Sequence, residues 1–415
     1  MKKLLLILAL ILAATSAGAQ AVEEAAGFPL RPGIWRIDGI DPDLGTADLE
    51  PLREIIGKAQ VVGLGESSHT TGGFYLMKHR IFRFLVEEMG FRAFGIETPW
   101  VGAEAAARYV QDCQGTPVEA IRGHFPVWQS TELADLVQWM CEWNREHPAD
   151  RVHYFGFDNQ QPQDDAPPLM AFLQRTGTAA DHPWMDGIRA CEGVTELHFP
   201  DPIPPQRHAQ CVRALSAIDA HFQRNRGDLQ RRTSAQDFAM AKLHLVGLRA
   251  WEDAAYTIGD DFQAGFSVRD EAMAYTIQTL RALRFPKAKT AIWAANSHIA
   301  RSRTLATGER PMGGFLAAAL GARNYVSLGL VAYHAELEWD GSFCGPIQLA
   351  SPSIEEQLHR LGEDYLLVDM ARNTYVRRGV YTTSNFRFRP HRDFNAVFFL
   401  ERAEKMHPTW WAPCR

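Results

Sequence analysis

Nowhere along the 415 residues do Lys and Arg gather into a block. With a formal net charge of −6, the chain lacks the electrostatic footprint of a nucleic-acid binder. CxxC is absent, which argues against zinc-finger and thioredoxin-type chemistry. His-Glu-x-x-His, the zinc-protease helix, is absent too. No Walker loop occurs, and Gly63 and Gly65 lack the third glycine of a dinucleotide fingerprint. The run Gly65, Glu66, Ser67, Ser68, His69 is not Gly-x-Ser-x-Gly, so the serine elbow of the α/β-hydrolases is missing. Ser67 or Ser68 beside His69 stays open as a nucleophile. Past the first twenty residues no apolar stretch is long enough to cross a bilayer, so no membrane span is expected.

What is present is ordinary globular composition, with 46% hydrophobic and 22% charged residues and ample material for a core. Residues 1–19 read as a signal peptide. Lys2 and Lys3 form a positive start, residues 4–12 an apolar run, and Ala17, Gly18 and Ala19 a small-x-small cleavage site. A periplasmic or secreted protein is the expectation. Six cysteines then allow up to three disulfides, and Cys191 with Cys211, which flank a Pro-rich stretch, is the preferred pair. Cys414, near Trp410 and Trp411, reads as part of a packed or disulfide-tied tail.

Apolar runs at 60–66, 91–97, 152–158, 289–295, 325–333, 365–369 and 394–401 read as strands. Helical spacing occurs at 74–89, which stops at Gly90, and at 102–113 and 131–146. Residues 165–285 are nearly all helical in pattern, broken near 200. The alternation predicts an α/β fold, a mostly parallel central sheet flanked by helices, with an inserted helical subdomain. The expected division is 20–160 for the first part of the core, with the catalytic loop, 161–285 for the helical insertion, and 286–415 for the second part of the core.

Four predicted strands each run into ionisable residues: Glu66 and His69, then Glu97, then Asp158, then Asn296 and His298. Ligands of open α/β sheets bind beyond the carboxyl ends of the strands, so these positions can converge despite their separation in sequence. A histidine oriented by a carboxylate is the usual general base for activating water. The plainer readings are an N-terminal cap for Glu66 and a satisfied polar group for each histidine. Two Glu and two His are also a donor set for a divalent metal. No other cofactor is expected.

The same residues carry a resemblance. Gly65 to His69, the helix with Lys78 and His79, and the strand to Glu97 resemble the erythromycin esterase family. So do Phe125 to Trp128 before Thr131 and Glu132, Gly156 to Asp158, Arg269 and Asp270 with Met273 and Ala274, Trp293 to His298, and Met312 with Gly313, in the right order. The likeness covers roughly residues 55–335. It implies an α/β core with a helical insertion, a cleft between them, and hydrolysis of a small-molecule ester or macrolactone by water. Carried over, His69 resembles the general base, Glu66 and Glu97 the paired carboxylates, and His298 the second histidine of a His-Asn-x-His segment. With Lys78, His298 would stabilise the developing oxyanion. Trp128, Asp158 and Arg269 would line the cleft and contact substrate. Their plainer readings are core packing, a helix cap, and a structural ion pair with Asp270.

Two positions depart from the family pattern. Ala295 stands where the first histidine of the segment is expected, and Lys78 where an arginine is, keeping the charge but not the planar fork. The expected function is an exported ester hydrolase. The alternatives are a metal-dependent hydrolase on the same residues and a non-catalytic periplasmic binding protein.

Overall fold

The computed structural model describes residues 29–192, 203–258, 261–302, 309–339, 343–347, 349, 351–382 and 387–411. The leader at 1–19 and Cys414 lie outside them.

Among the described residues, nine strands form one mixed sheet. They are β1 (Ile34–Arg36), β2 (Val61–Leu64), β3 (Phe91–Pro99), β4 (His153–Asp158), β5 (Lys289–Trp293), β6 (Tyr325–Trp339), β7 (Phe343–Pro346), β8 (Tyr365–Asp369) and β9 (Ala396–Ala403). Their spatial order is β1-β8-β9-β6-β2-β5-β3-β4, with β7 paired to β6. From β9 to β4 every pairing is parallel. β8 runs antiparallel to β9, β1 to β8, and β7 to β6.

The central strands read as continuous apolar runs because both faces of the sheet are covered. Val62 and Leu64 enter one core with Phe74, Ile81, Phe82 and Leu85 of the helix Gly72–Met89. Their neighbour Val61 enters the opposite core, with Ile292, Met273, Ile277 and Leu316. The helix Gly72–Met89 stops where Gly90 takes the left-handed conformation, φ 71°.

Between β4 and β5 the described residues form five helices, Pro162–Arg175, Pro183–Cys191, Pro205–Arg232, Ala235–Ile258 and Phe262–Arg284. Four of them share a separate core around Phe172, Leu215, Phe222 and Leu248. The expected bond Cys191–Cys211 ties two of these helices together. A second disulfide, Cys113–Cys141, links the end of Glu104–Asp112 to Thr131–Glu146. No helix among the described residues is long and apolar enough to cross a membrane.

The sequence pattern misses β1 and β7. They are three and four residues long, too short to show a period, and they exist by pairing with β8 and β6. Strand β5 ends at Trp293 rather than 295, because the Ala295 N–H leaves the sheet to meet Glu97 Oε2 at 3.0 Å.

One close approach fixes the route out of β2. A Cβ on Gly65 would collide with Asn296 Oδ1 and lie 2.7 Å from Ile299 Cδ1. Asn296 has little room to yield, since its amide donates to the Leu330 carbonyl and accepts from the Leu330 N–H. Gly65→Ala should therefore lower unfolding stability by about 3 kcal/mol, through overpacking or a broken buried amide. Denaturant midpoints of parent and variant measure this.

Candidate active site

The carboxyl ends that supply the ionisable residues belong to β2, β5, β3 and β4, four neighbours in the sheet. Parallel pairing puts all four ends on one edge of the sheet.

Glu66 leaves β2 with its carboxylate buried and three donors around it. His69 Nδ1 lies 2.8 Å from Oε1, while Lys78 Nζ at 2.7 Å and Trp293 Nε1 at 3.2 Å reach Oε2. Thr70 turns the loop with φ 62°, and its N–H donates to Tyr75 Oη. Lys78 sits on the helix entered just afterwards and is fully buried, its ammonium 4.4 Å from the Trp293 ring centroid. Burial lowers its pKa to about 8, against the pull of Glu66 and then Glu97. His69 differs from these partners: a third of its side chain is exposed, and its ring stands edge-on to Trp128, centroids 4.9 Å apart. With Nδ1 donating to Glu66, Nε2 is left as the acceptor.

A second group forms at the ends of β3 and β4. Glu97 Oε1 accepts from Arg269 Nη2 at 2.8 Å and lies 3.1 Å from His298 Nε2. Arg269 also meets both oxygens of Asp158, through Nε at 3.1 Å and Nη2 at 2.5 Å. His298 Nδ1 lies 2.5 Å from Asp270 Oδ1, and Asp270 Oδ2 accepts from the Met312 N–H at 2.9 Å. Burial alone would raise the Glu97 pKa, but His298, Arg269 and His69 together hold it well below the usual 4.5. For His298, burial pushes the ring down. Asp270 and Glu97 outweigh that and the repulsion of Arg269, and raise it to about 10. The shift favours the charged ring, whose Nδ1 faces Asp270 while Nε2 lies between Glu97 Oε1 at 3.1 Å and Arg269 Nη1 at 3.2 Å.

Two indoles stand between the groups. Trp128 touches His69 with its ring and donates Nε1–H to the Glu97 carbonyl. Trp293 reaches Glu66 and packs on Trp128, centroids 5.8 Å apart.

The structure brings Glu66, His69 and Lys78 into one cluster and Glu97, Asp158, Arg269 and His298 into another beside it. Four placements depart from the sequence expectations. Trp128 is 1% exposed and edge-on to His69, which fits its plainer reading as core packing rather than a substrate contact. Asp158 and Arg269 are buried against each other, so their charges are spent inside the protein. Arg269 does not pair with Asp270, whose partner is His298. His298 has Asp270 on Nδ1, and Glu97 and Arg269 crowd Nε2 at 3.1 and 3.2 Å, so neither ring nitrogen is open to an oxyanion. Asp270 carries only the role of an ion-pair partner for Arg269 in the sequence motifs, and Trp293 carries none. Their partners lie 28 and 227 positions away, beyond any local pattern. Ser68 Oγ lies 2.8 Å from Thr71 Oγ1. Among the described residues, no three His, Cys, Asp or Glu side chains are grouped so as to hold a metal ion.

Fold and site together define an α/β protein that gathers paired carboxylates and histidines at one edge of a mostly parallel sheet. A family model described as erythromycin esterase matches residues 86–403, and the chain belongs to that family. Membership supports a hydrolase of the esterase type. The match begins after Glu66, His69 and Lys78. Among curated relatives, the Escherichia coli erythromycin esterase type II is 25% identical over 316 residues, 70% of this chain and 73% of its own. A putative hydrolase of Bacillus subtilis, YbfO, is 22% identical over 361 residues, 79% of this chain and 77% of its own. The fold is shared with an erythromycin esterase mutant, EreC, solved in its open conformation. Its TM-score is 0.73 at 18% identity, over 90% of this chain and 98% of that one. A Bacillus cereus protein aligns with a TM-score of 0.73 at 20% identity, over 91% of this chain and 97% of its own.

The His298 pair predicts a pH dependence. A histidine raised from 6.5 to about 10 stabilises the folded chain fully below pH 6.5, and that contribution is lost as the pH rises through about 10. His298→Gln should cost about 3–5 kcal/mol near pH 6, as expected when a buried ion pair loses one partner. The deficit should shrink towards pH 10, as read from denaturant unfolding across the pH range.

Proposed function

We propose that this chain is an exported ester hydrolase that opens a carboxylic ester or macrolactone by general-base activation of water. One observation carries the reading: His69 is held by the buried Glu66 through Nδ1 while its ring remains a third exposed. Nε2 takes a proton from water as the water oxygen bonds to the carbonyl carbon. The tetrahedral intermediate then expels the alkoxide, which recovers the proton from His69. Glu66 fixes the tautomer, and Lys78 ties down Glu66. The buried Glu97, Arg269, Asp158 and His298 form the charged frame behind them. These are positioning roles.

Water activation without a metal is favoured by the charge pairing already present. Glu66 faces Lys78 and Glu97 faces Arg269, so neither carboxylate lacks a cation. Export is supported by the leader pattern and by two disulfides, bonds at home in oxidising compartments.

His69→Ala should reduce turnover of erythromycin or of a simple ester by about 10²–10⁴-fold, the usual worth of a general base, with an unchanged melting curve. Retained turnover would remove His69 from the mechanism. Mass spectrometry of the product should show the gain of one water. Prolonged EDTA treatment should leave activity intact. Loss of activity that returns with a divalent ion would make the enzyme metal-dependent instead.

A further inference from the structure

Glu132 opens the helix Thr131–Glu146 with a buried carboxylate that the site described above does not use. The plainest role for an acid in a first turn is a cap or a dipole partner. Ser130 already caps this helix, its Oγ accepting from the Leu133 N–H. Glu132 serves a distant partner instead. Its Oε1 lies 2.7 Å from His407 Nδ1 and accepts from the His407 backbone N–H at 3.1 Å.

His407 belongs to the segment 404–409, which leaves β9 and binds both neighbours of His69. On one side, the Met406 N–H donates to the Thr70 carbonyl at 2.9 Å, and the Gly73 N–H to the Glu404 carbonyl at 3.2 Å. Thr70 directly follows His69. On the other side, the Thr131 N–H donates to the His407 carbonyl, and the Thr409 N–H to the Gln129 carbonyl, both at 2.9 Å. Gln129 directly follows Trp128, whose ring stands against His69. The contact is close throughout. A Cβ on Gly72 would lie 2.9 Å from Glu132 Oε1, from the Lys405 carbonyl oxygen and from Met406 Cα. The Met406 side chain is itself buried in the core.

We propose that the segment 404–409 is a strap that positions His69, fastened by Glu132 and His407. A β-branched residue does not hold a φ of 62° by its own preference, so the surroundings must impose the Thr70 turn. Its N–H is held by Tyr75 Oη and its carbonyl by the strap. Tyr75 Oη in turn donates to the Val127 carbonyl, so the turn and the Trp128 segment are joined twice, through Tyr75 and through the strap. Glu132 and His407 act through Thr70 and Trp128, and are positioning residues. This assignment deepens the esterase reading and rests on it.

The test is His407→Ala, which removes a side chain that is 75% exposed and leaves the core packing in place. Glu132→Gln breaks the same fastening from the other side. His407→Asn is the rescue, because its amide keeps an N–H donor near the place of Nδ1. In the Ala and Gln variants, kcat for 4-nitrophenyl acetate should fall about tenfold with KM little changed, as when a reacting group is held less precisely. Amide hydrogen exchange at residues 66–71 should quicken about tenfold while β2 and β3 keep their protection. His407→Asn should restore both readouts. Unchanged kcat, unchanged exchange at 66–71, or an Asn variant as impaired as the Ala variant would overturn the strap. So would exchange that quickens equally in the strands, with a lowered denaturant midpoint, since that is a purely structural role. If the parent does not hydrolyse the probe, the esterase reading fails and exchange decides the strap separately. Faster exchange at 66–71 that His407→Asn reverses would support it, and unaltered exchange would overturn it.

Discussion

Arg269 is the cation on which the deep half of the site depends. Its guanidinium is buried, and a buried charge is tolerated only when paired and hydrogen-bonded. The partners are Glu97 at the end of β3 and Asp158 at the end of β4, 172 and 111 positions away along the chain. The helix Phe262–Arg284 is thereby tied to two strand ends at one point. The next residue, Asp270, fixes His298 beyond β5, so consecutive positions on one helix turn hold groups from three strands. Without Arg269, the two carboxylates would sit in low dielectric with far less compensation.

The site divides into a rigid frame and one accessible base. Glu97, Asp158, Arg269 and His298 are buried and mutually bonded, as are Glu66 and Lys78. His69 alone among the residues anticipated as catalytic keeps an exposed ring. Trp128 and Trp293 separate the two clusters sterically but not electrostatically. The charge of His69 still bears on Glu97, and that of Glu97 on Lys78. Fixed charges around a mobile proton are the arrangement a general base requires, because the surroundings need not reorganise during the reaction.

Some of this was legible along the chain. The buried strands announce themselves as apolar runs, and Glu66 with His69 stands three apart at the end of one of them. The pairing of Cys191 with Cys211 followed from their flanking of a Pro-rich break. Other features were not legible. Lys78 has the sequence context of a surface helix lysine, and only the packing of Trp293 and Glu66 buries it. Trp128 is open to two readings in the sequence, core packing or a cleft contact, and only its indole N–H on the Glu97 carbonyl and its ring against His69 place it. Edge strands β1 and β7 have too few residues to show a period.

The order of residues by itself determined the layered α/β class, the strand ends that carry ionisable groups, and the local Glu66–His69 spacing. These follow from periodicity and from short-range geometry, which the backbone expresses wherever the chain goes. The tertiary structure alone decided which charges pair. Arg269 faces Asp158 and Glu97 rather than its neighbour Asp270, and His298 is spent on carboxylates rather than left free. The reason is that burial makes pairing compulsory, and only the folded sheet determines which groups are buried together.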